Sequence, residues 1–395
     1  MSIKVFVSPR RYVQGPNALA QLGLNLALFG IKHPLVLASP SALAACQEAI
    51  SKSLETAGVG RAFLTFQREC TFAEIERVKQ ACLAGGHDAL IGCGGGKTLD
   101  TARAAAAGAA ISVGAQPRGG VAPLGAGVPC VMVPTVAASD APTASVSVVY
   151  NAAGVQEAFV LVRVNPILVL VDTEIIARAP VRTLVAGMGD ALATHFEAEA
   201  AFHSGLPVLA GGLPSRTARM MARLALTTLM ESGRQAVQEA RSGEAGPALE
   251  AVVEANILLS GLGYECGGLA AAHALAGSWT LLHGRFDPEP FHGELVAFST
   301  LTQLLMEGRA ENELGPVLAF CQDVSLPTTF KALGLKDASD EMLAGVAEAA
   351  AKSLLIRTMP RATPAPDAQG RFYDPAEILR CLMETDARGR ALAAG

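Results

Sequence analysis

The chain has 395 residues, of which 51% are apolar and 17% are charged, and its formal net charge is −5. This length suits two domains, and the apolar content predicts a large buried core with further burial in a homo-oligomer. Nucleic acid is excluded as the expected partner, because binding to its phosphate backbone needs clustered Lys and Arg. No apolar run reaches the ~18 residues of a membrane span and no signal-peptide pattern is present. We therefore expect a cytoplasmic protein with no membrane partner.

Four short apolar runs in the first 180 residues have the pattern of β-strands. The predicted strands are 34–39 (PLVLAS), 87–96 (HDALIGCGGG), 129–135 (PCVMVPT) and 166–172 (PILVLVD). Helix-length segments separate these strands along the chain. The alternation predicts βαβ units and a parallel sheet, which is the arrangement of a Rossmann-like, dinucleotide-binding α/β domain.

Long helical patterns replace the strands after Pro180. They cover 181–202, 215–240, 248–265 and 293–307. We therefore predict an α/β domain over 1–179 and an all-helical domain over 180–395, with the site in a cleft between them. Two segments rich in Gly, Ala or Pro, 108–127 and 360–375, are predicted to be irregular.

The stretch IGCGGGKTLDTARAAA, residues 91–106, joins a predicted strand to a predicted helix through four glycines in five positions. It is not a Walker loop, because Ile91 stands where the first glycine would be, and it misses the G-x-G-x-x-G fingerprint because Lys97 holds the last position. Free N–H groups and the helix dipole at this end still favour a pyrophosphate, and glycine lets the backbone approach closely. We therefore predict phosphate binding rather than a simple tight turn.

The sequence gives a weaker indication of which dinucleotide binds, NAD or NADP, than of phosphate binding itself. A Rossmann-type site usually places an acidic residue after the second strand, where it holds the ribose 2′-OH of NAD. The run at 34–39 ends in Ala38 and Ser39 instead. This pattern leaves both NAD and NADP open.

Three candidate metal ligands lie in helical segments with few other polar groups. Asp190 is in VAGMGDALATHF, His273 is in GGLAAAHALAG and His292 is in PEPFHGELVAF. One carboxylate and two neutral imidazoles, with open coordination positions, form a catalytic site for Zn²⁺ or Fe²⁺. The alternative for each residue alone is a buried polar group satisfied by a hydrogen bond. His195 lies about 140° round the helix from Asp190 at ~100° per residue, so it is predicted to face elsewhere.

With these residues in view, the chain resembles the glycerol dehydrogenases of the metal-dependent, iron-containing-type alcohol dehydrogenase superfamily over nearly its full length. The matching stretches are GCGGGKTLDTARA, VPTVAASDAPTASVSVVYN, PVRTLVAGMGDALATHFEA, EANILLSGLGYECGGLAAAHAL and FHGELVAFSTLTQLL. The resemblance implies a dehydroquinate synthase-like fold and a homo-oligomer. It also implies NAD as cofactor, one divalent metal with Zn²⁺ preferred to Fe²⁺, and reversible oxidation of glycerol to dihydroxyacetone.

The resemblance also implies roles for individual residues. The metal ligands fall on Asp190, His273 and His292, and the polyol-binding carboxylate falls on Asp140, so these four are the expected catalytic residues. The expected cofactor-binding residues are Gly94, Gly95, Gly96, Lys97, Asp100, Thr135, Ser139, Ser145 and Tyr150.

The chain departs from the family pattern at four places. Ala144-Ser145 replaces a Ser-Ala pair, HALAGS replaces HAIHNG after the first site histidine, Leu295 replaces a lysine, and 108–127 resembles an insertion. These departures leave the reaction class intact and bear on the substrate.

Other superfamily members provide the alternative functions: a glycerol-1-phosphate dehydrogenase, a hydroxycarboxylate reductase or a dehydroquinate synthase-like lyase. The site motifs are nearly free of Lys and Arg, which phosphorylated or carboxylated substrates would require. A hydroxycarboxylate reductase is not expected to have Asp140. A binding protein without activity would need a lost metal ligand, whereas all three are present.

Overall fold

The computed structural model describes residues 3–108, 120–121, 127–151, 154–162 and 164–394. These residues form two compact units. The sheet unit comprises Ser8–Val181 and Gln238–Gly261, and the helical unit comprises the chain up to Val7, Arg182–Val237 and the chain from Leu262 onward. The division of the chain into functional domains at 179/180 stays a prediction.

Nine strands occur among these residues and form two sheets. They are β1 (Tyr12–Gly15), β2 (Pro34–Ala38), β3 (Ala62–Thr65), β4 (Ala89–Gly94), β5 (Gly120–Val121), β6 (Cys130–Pro134), β7 (Val146–Tyr150), β8 (Gln156–Leu161) and β9 (Leu168–Asp172). The larger sheet has six strands in the order β1-β9-β6-β4-β2-β3, all paired in parallel. The predicted parallel sheet is confirmed, and the four predicted strands are β2, β4, β6 and β9.

Helices make up most of the remaining described chain. They are α1 (Leu22–Leu28), α2 (Pro40–Thr56), α3 (Phe72–Ala84), α4 (Gly96–Ala106), α5 (Thr173–Ala177), α6 (Val181–Ser204), α7 (Arg216–Ser242), α8 (Pro247–Glu254), α9 (Ser260–Gly267), α10 (Ala271–Trp279), α11 (His292–Glu307), α12 (Glu311–Asp323), α13 (Asp340–Lys352) and α14 (Pro375–Ala394). A π-helical turn, Ala255–Leu259, connects α8 to α9. The predicted helical character after residue 180 is confirmed.

Both faces of the six-stranded sheet are covered by helices. Strands β2, β4 and β9 are buried along their whole length. Side chains alternate between two apolar clusters: Val36 points to the side of α1 and α2, whereas Leu35 and Leu37 pack with Val78 of α3 and Ala102 of α4. Because a strand that is covered on both faces needs apolar residues at every position, it forms a continuous apolar run in the sequence. This pattern made these strands recognisable.

The strand order reverses direction between β2 and β4. From β2 the chain moves outward to β3, whereas from β4 it moves to β6 on the opposite side. Their carboxyl ends lie next to each other, since Ala38 pairs with Cys93 and the Ser39 N–H donates to the Cys93 carbonyl at 3.4 Å. Open α/β sheets bind ligands in the crevice at such a switch point. The glycine-rich stretch therefore lies at the edge where this sheet is expected to hold a ligand.

The smaller sheet has the order β5-β8-β7, with β7 and β8 antiparallel and β5 parallel to β8. Our sequence analysis missed β1, β3, β7 and β8. Each of them is partly exposed, so none gives a long apolar run. The predicted insertion at 108–127 lies outside the described residues except for Gly108, Gly120–Val121 and Gly127.

The core of the helical unit lies where α10 and α11 pack together. The Trp279 ring is fully buried and lies 5.9 Å from the Phe298 ring and 6.2 Å from the Phe330 ring, between centroids. The Trp279 indole N–H donates to Ser299 Oγ at 3.2 Å. This core fixes the two helices that carry the candidate histidines.

No single helix in the described part of the chain is long and apolar enough to cross a membrane. The consecutive helical segments Arg216–Ser242 and Pro247–Gly267 meet that criterion only as a bent pair, and only by length and composition.

Candidate active site

Asp190 lies within α6 and is buried, with 2% of its surface exposed. Two glycines allow α6 to contact the start of α11. A Cβ at Gly189 would overlap the Gly293 carbonyl, and a Cβ at Gly293 would overlap the Ala186 carbonyl. Because neither position has room for a side chain, the two backbones touch, and Asp190 lies beside His292, the first residue of α11.

The start of α11 is held by charged groups. The Glu294 carboxylate accepts a hydrogen bond from the Phe291 N–H at 2.7 Å, which caps the helix. Arg182 donates to both Glu294 oxygens at 2.7 Å. The His292 side chain remains 54% exposed, so its ring is accessible although its backbone is fixed.

The structure brings the three predicted metal ligands together. The His273 Nε2 atom lies 3.4 Å from Asp190 Oδ1, and the His292 Nε2 atom lies 3.6 Å from the same oxygen. One ligand atom from each residue lies within 4.8 Å of the others. One carboxylate and two imidazoles at this spacing fit a divalent transition metal with open coordination positions.

His195 is not part of this cluster. It lies on α6 with Asp190, and its Nδ1 atom is buried with no hydrogen-bond partner among the described residues. Burial lowers the pKa of the His195 imidazole to about 4, so the ring is neutral near pH 7.

A fourth polar residue, Glu197, contacts the cluster and was missed in our sequence analysis. Its carboxylate is fully buried and lies 2.5 Å from His273 Nδ1. Burial alone would lower the pKa of the His273 imidazole, but the Glu197 and Asp190 carboxylates outweigh it and raise that pKa well above its usual value. The sequence signal was the spacing, because seven residues are about two helical turns and place Glu197 on the same face of α6 as Asp190.

The glycine loop connects β4 to α4 at the switch point. Gly94 has φ +149°, and a Cβ there would lie 3.0 Å from Thr98 Oγ1 and 3.3 Å from Ser39 Oγ. Gly95 is the N-cap of α4 and gives the helix no side-chain cap. A helix that begins with backbone N–H groups and no cap is suited to bind a phosphate. Gly96 also has room, since a Cβ there would meet no atom closer than 4.0 Å.

Lys97 and Asp100 both lie near the start of α4, but Lys97 is half exposed and Asp100 is buried. The Lys97 ammonium is paired with Glu69 Oε2 at 2.6 Å and lies 5.2 Å from the centre of the Tyr150 ring. The Asp100 carboxylate is buried and accepts from Arg103 at 2.6 Å and from the Val148 N–H at 3.0 Å. Burial raises the pKa of the Asp100 carboxyl, and the Arg103 guanidinium opposes that rise.

The segment after β6 runs beside the glycine loop. The Thr135 N–H donates to the Gly94 carbonyl at 3.1 Å. The hydroxyl of Ser139 lies 4.0 Å from the position that a Cβ of Gly96 would occupy. The loop over 136–141 therefore forms one wall of the region in front of α4.

Asp140 is held from the other side by the helical segment at 255–261. The Ser260 hydroxyl donates to Asp140 Oδ2 at 2.7 Å. The Thr143 hydroxyl lies within hydrogen-bond distance of the Asp140 and Ile257 carbonyls, at 3.0 Å and 2.9 Å. A Cβ at Gly261 would overlap Thr143 Oγ1, so glycine is needed for this approach.

Ser145 immediately precedes the strand β7, and Tyr150 is its last residue. Ser145 is buried, and its carbonyl accepts from the Val162 N–H at 2.8 Å. The Tyr150 N–H donates to the Cys70 carbonyl at 2.8 Å. Burial, together with the charge of Asp100, raises the pKa of the Tyr150 hydroxyl, so it is a proton donor rather than an anion near pH 7.

Comparisons with known proteins agree with this fold. The model of the family described as "Iron-containing alcohol dehydrogenase" matches residues 9–173. A glycerol dehydrogenase of Pseudomonas putida is 39% identical over 354 residues, which are 89% of this chain and 92% of that protein. A glycolaldehyde reductase of Halobacterium salinarum is 37% identical over 346 residues, 88% of this chain and 89% of that protein.

The fold is also similar to solved structures. The crystal structure of glycerol dehydrogenase from Schizosaccharomyces pombe superimposes with a TM-score of 0.87 at 32% identity, covering 99% of this chain and 92% of that one. The chain belongs to the iron-containing alcohol dehydrogenase family. This family implies NAD(H) and a divalent metal as cofactors, and the resemblance identified from the sequence is confirmed.

Proposed function

We propose that this chain catalyses the metal-dependent, NAD-linked oxidation of the secondary alcohol of a polyol, with glycerol as substrate and dihydroxyacetone as product. The observation that supports it most is the convergence of Asp190, His273 and His292, whose ligand atoms lie within 4.8 Å of one another. The glycerol dehydrogenases of Pseudomonas putida and Schizosaccharomyces pombe support the choice of substrate. In the balanced reaction the alcohol transfers a hydride to NAD⁺ and releases a proton, which gives the ketone, NADH and H⁺.

The three ligands are proposed to hold one divalent ion. Bound there, the ion would act as a Lewis acid that lowers the pKa of a substrate hydroxyl. We favour Zn²⁺ over Fe²⁺, because hydride transfer requires no change in the oxidation state of the metal and Zn²⁺ has no redox chemistry. Asp190 supplies the negative charge of the site, and the two imidazoles bind as neutral donors.

The glycine loop is proposed to hold the dinucleotide. Gly94, Gly95, Gly96 and Lys97 would contact the pyrophosphate at the start of α4. The residues proposed for the rest of the cofactor are Thr135, Ser139, Ser145 and Tyr150. Asp100 is proposed to act from behind the loop, since its carboxylate is bound to Arg103 and Val148.

NAD is proposed as the cofactor rather than NADP. Ser39 lies at the end of β2, where an acidic residue would be expected, and its hydroxyl accepts from the Ala42 N–H at 3.3 Å as the N-cap of α2. The described hydrogen-bond partners of the Ser39 hydroxyl are the Ser41 hydroxyl and the Ala42 N–H, and neither supplies the positive charge that a 2′-phosphate would need. A homo-oligomer and a cytoplasmic location also stay predictions.

Asp140 is proposed to accept a hydrogen bond from a second hydroxyl of the polyol. The Ser260 hydroxyl orients the carboxylate by donating to Oδ2 at 2.7 Å. Each carboxylate oxygen has two lone pairs, so the group can accept from a substrate hydroxyl in addition to Ser260. A carboxylate at this position repels phosphorylated and carboxylated substrates, which argues against the alternatives within the superfamily.

An absorbance assay of NADH formation tests the function. The zinc-loaded protein is supplied with glycerol, 1,2-propanediol, glycerol 1-phosphate or a 2-hydroxy acid, with NAD⁺ or NADP⁺, and with or without a chelator. Chelator-sensitive turnover of glycerol with NAD⁺ is the expected result. Turnover of only the phosphorylated or carboxylated substrate would refute the proposed substrate class, and full activity after complete metal removal would refute the metal-dependent reaction. Reduction of glycolaldehyde by NADH tests the activity of the Halobacterium salinarum relative in the same assay.

Replacing Gly94 with Ala is expected to raise the Kd for NADH about tenfold or more. Alanine at φ +149° is strained by about 1–3 kcal/mol, and its Cβ would press on Thr98 and Ser39. Relief of that strain must displace the loop that contacts the cofactor. A loss of about 1.4 kcal/mol in binding free energy corresponds to a tenfold rise in Kd. Fluorescence titration with NADH measures the change.

Gly86→Ala is the matched control for this prediction. Gly86 also has a positive φ, +60°, but a Cβ there would meet no atom within 4 Å. The control is expected to lose some stability and to keep the affinity for NADH. Equal affinities for the wild type and both variants would contradict a role of the loop in binding the cofactor.

A further inference from the structure

Glu197 is a carboxylate whose described hydrogen bonds all go to the candidate ligand His273 and to the start of its helix. The Glu197 side chain is fully buried. Oxygen Oε1 accepts from the Ala270 N–H at 2.8 Å and from the His273 N–H at 2.9 Å. Oxygen Oε2 lies 2.5 Å from His273 Nδ1. We propose that Glu197 is a positioning residue that sets the orientation and tautomer of His273 for metal binding, an inference that rests on the proposed metal site.

The first part of this role is to fix the backbone of His273. The N-cap of α10 is Ala270, which has no side-chain cap of its own. The Glu197 carboxylate, which comes from α6, binds two N–H groups of this first turn in place of a cap. Asp190 lies on the same helix α6, so Glu197 ties one proposed ligand to the helix that carries another.

The second part is to fix the His273 ring. A carboxylate has only acceptors, so the short contact at Oε2 requires Nδ1 to carry a proton. In the neutral ring Nε2 is then the atom with the lone pair, and this atom lies 3.4 Å from Asp190 Oδ1. Metal-binding histidines commonly donate their other N–H to a carboxylate, which fixes the tautomer and raises the basicity of the ligand atom.

A carboxylate can bind the helix start and the ring proton together, whereas an amide of the same length cannot. Three donors face the two oxygens: the N–H groups of Ala270 and His273 on one side and Nδ1–H on the other. In the Glu197→Gln variant one of the two oxygen positions becomes an NH₂ donor, so that donor faces either the helix start or the ring proton. If the NH₂ group faces the ring, it favours the His273 tautomer that carries its proton on Nε2. In that tautomer Nε2 has no lone pair with which to bind a metal.

The test measures metal affinity rather than turnover. Apoproteins of the wild type, Glu197→Gln and the matched control Glu199→Gln are titrated with Zn²⁺ against a chromophoric chelator. Glu199 lies two residues away on α6 and is ion-paired with Arg219 instead. Glu197→Gln is expected to bind Zn²⁺ about 10–100-fold more weakly, and Glu199→Gln is expected to match the wild type. Wild-type affinity in Glu197→Gln, within about twofold, would overturn the inference.

Two further measurements separate the possible failures. If wild-type and His273→Ala apoproteins bind Zn²⁺ equally, the proposed metal site fails and this inference fails with it. If Glu197→Gln does not fold, nitrogen-15 NMR of histidine in the zinc-loaded wild type decides. We expect His273 to bind through Nε2 with a hydrogen-bonded Nδ1–H, and binding through Nδ1 would overturn the inference.

Discussion

Replacing Asp190 with Asn is expected to lower kcat/KM for glycerol oxidation by about 10³-fold or more. Asp190 is the one anionic residue of the proposed ligand set, in which His273 and His292 would bind as neutral donors, and it is 2% exposed. Its loss removes charge that stabilises the ion, and several kcal/mol of transition-state stabilisation depend on that ion, at 1.36 kcal/mol for each factor of ten. Initial rates and the zinc content of the purified variant measure both effects.

Asp323→Asn is the control for this variant. Asp323 is half exposed and paired with Arg234 at the surface, so the control is expected to keep wild-type kcat/KM and zinc content. If Asp190→Asn kept more than about half of the wild-type activity in zinc-depleted buffer, the assignment of Asp190 as a metal ligand would be wrong.

Replacing Arg103 with Met is expected to lower the free energy of unfolding by about 3–5 kcal/mol. The Arg103 side chain is 1% exposed and donates to Asp100 Oδ1 at 2.6 Å, to the Val146 carbonyl at 2.5 Å and to the Ala141 carbonyl. Methionine fills much of the same volume but leaves the Asp100 carboxylate buried without its cation. The denaturation midpoint in urea and the thermal midpoint measure the loss.

The same substitution is expected to weaken cofactor binding, since Arg103 connects α4 to the segment over 139–147. Arg178→Met is the control, because Arg178 is 70% exposed and its pair with Glu174 is a surface pair worth about 0.3–0.5 kcal/mol. Equal midpoints for Arg103→Met and Arg178→Met would show that the buried ion pair does not stabilise the sheet unit.

The features that could be predicted are those whose burial leaves a clear pattern of apolar residues in the sequence. Strands β2, β4 and β9 are buried on both faces and were found as apolar runs. Asp190 and His273 stood out because they are polar residues in otherwise apolar helices, and the structure brings them together with His292. The resemblance to a known family connected these residues to one chemistry.

Other features depend on contacts that no local pattern reveals. Strands β7 and β8 are half exposed and form their own small sheet, so their alternation is short and weak. The spacing from Asp190 distinguishes Glu197 from Glu199, but only the structure shows their partners: Glu197 is fully buried against His273, and Glu199 is paired with Arg219. About 200° of helix rotation separates them, and the packing of α10 and α7 on α6 gives each carboxylate its partner.

The measurement that tests the account most directly follows the hydride itself. Glycerol deuterated at its central carbon is oxidised by the zinc-loaded protein with NAD⁺, and both products are analysed by NMR. We predict that deuterium is transferred to the nicotinamide ring and that dihydroxyacetone is the ketone. We also predict that the rate of formation of both products falls by about 10³-fold or more in the Asp190→Asn variant and that chelation abolishes it. Formation of glyceraldehyde with the deuterium retained, or unchanged transfer without the metal, would contradict the account.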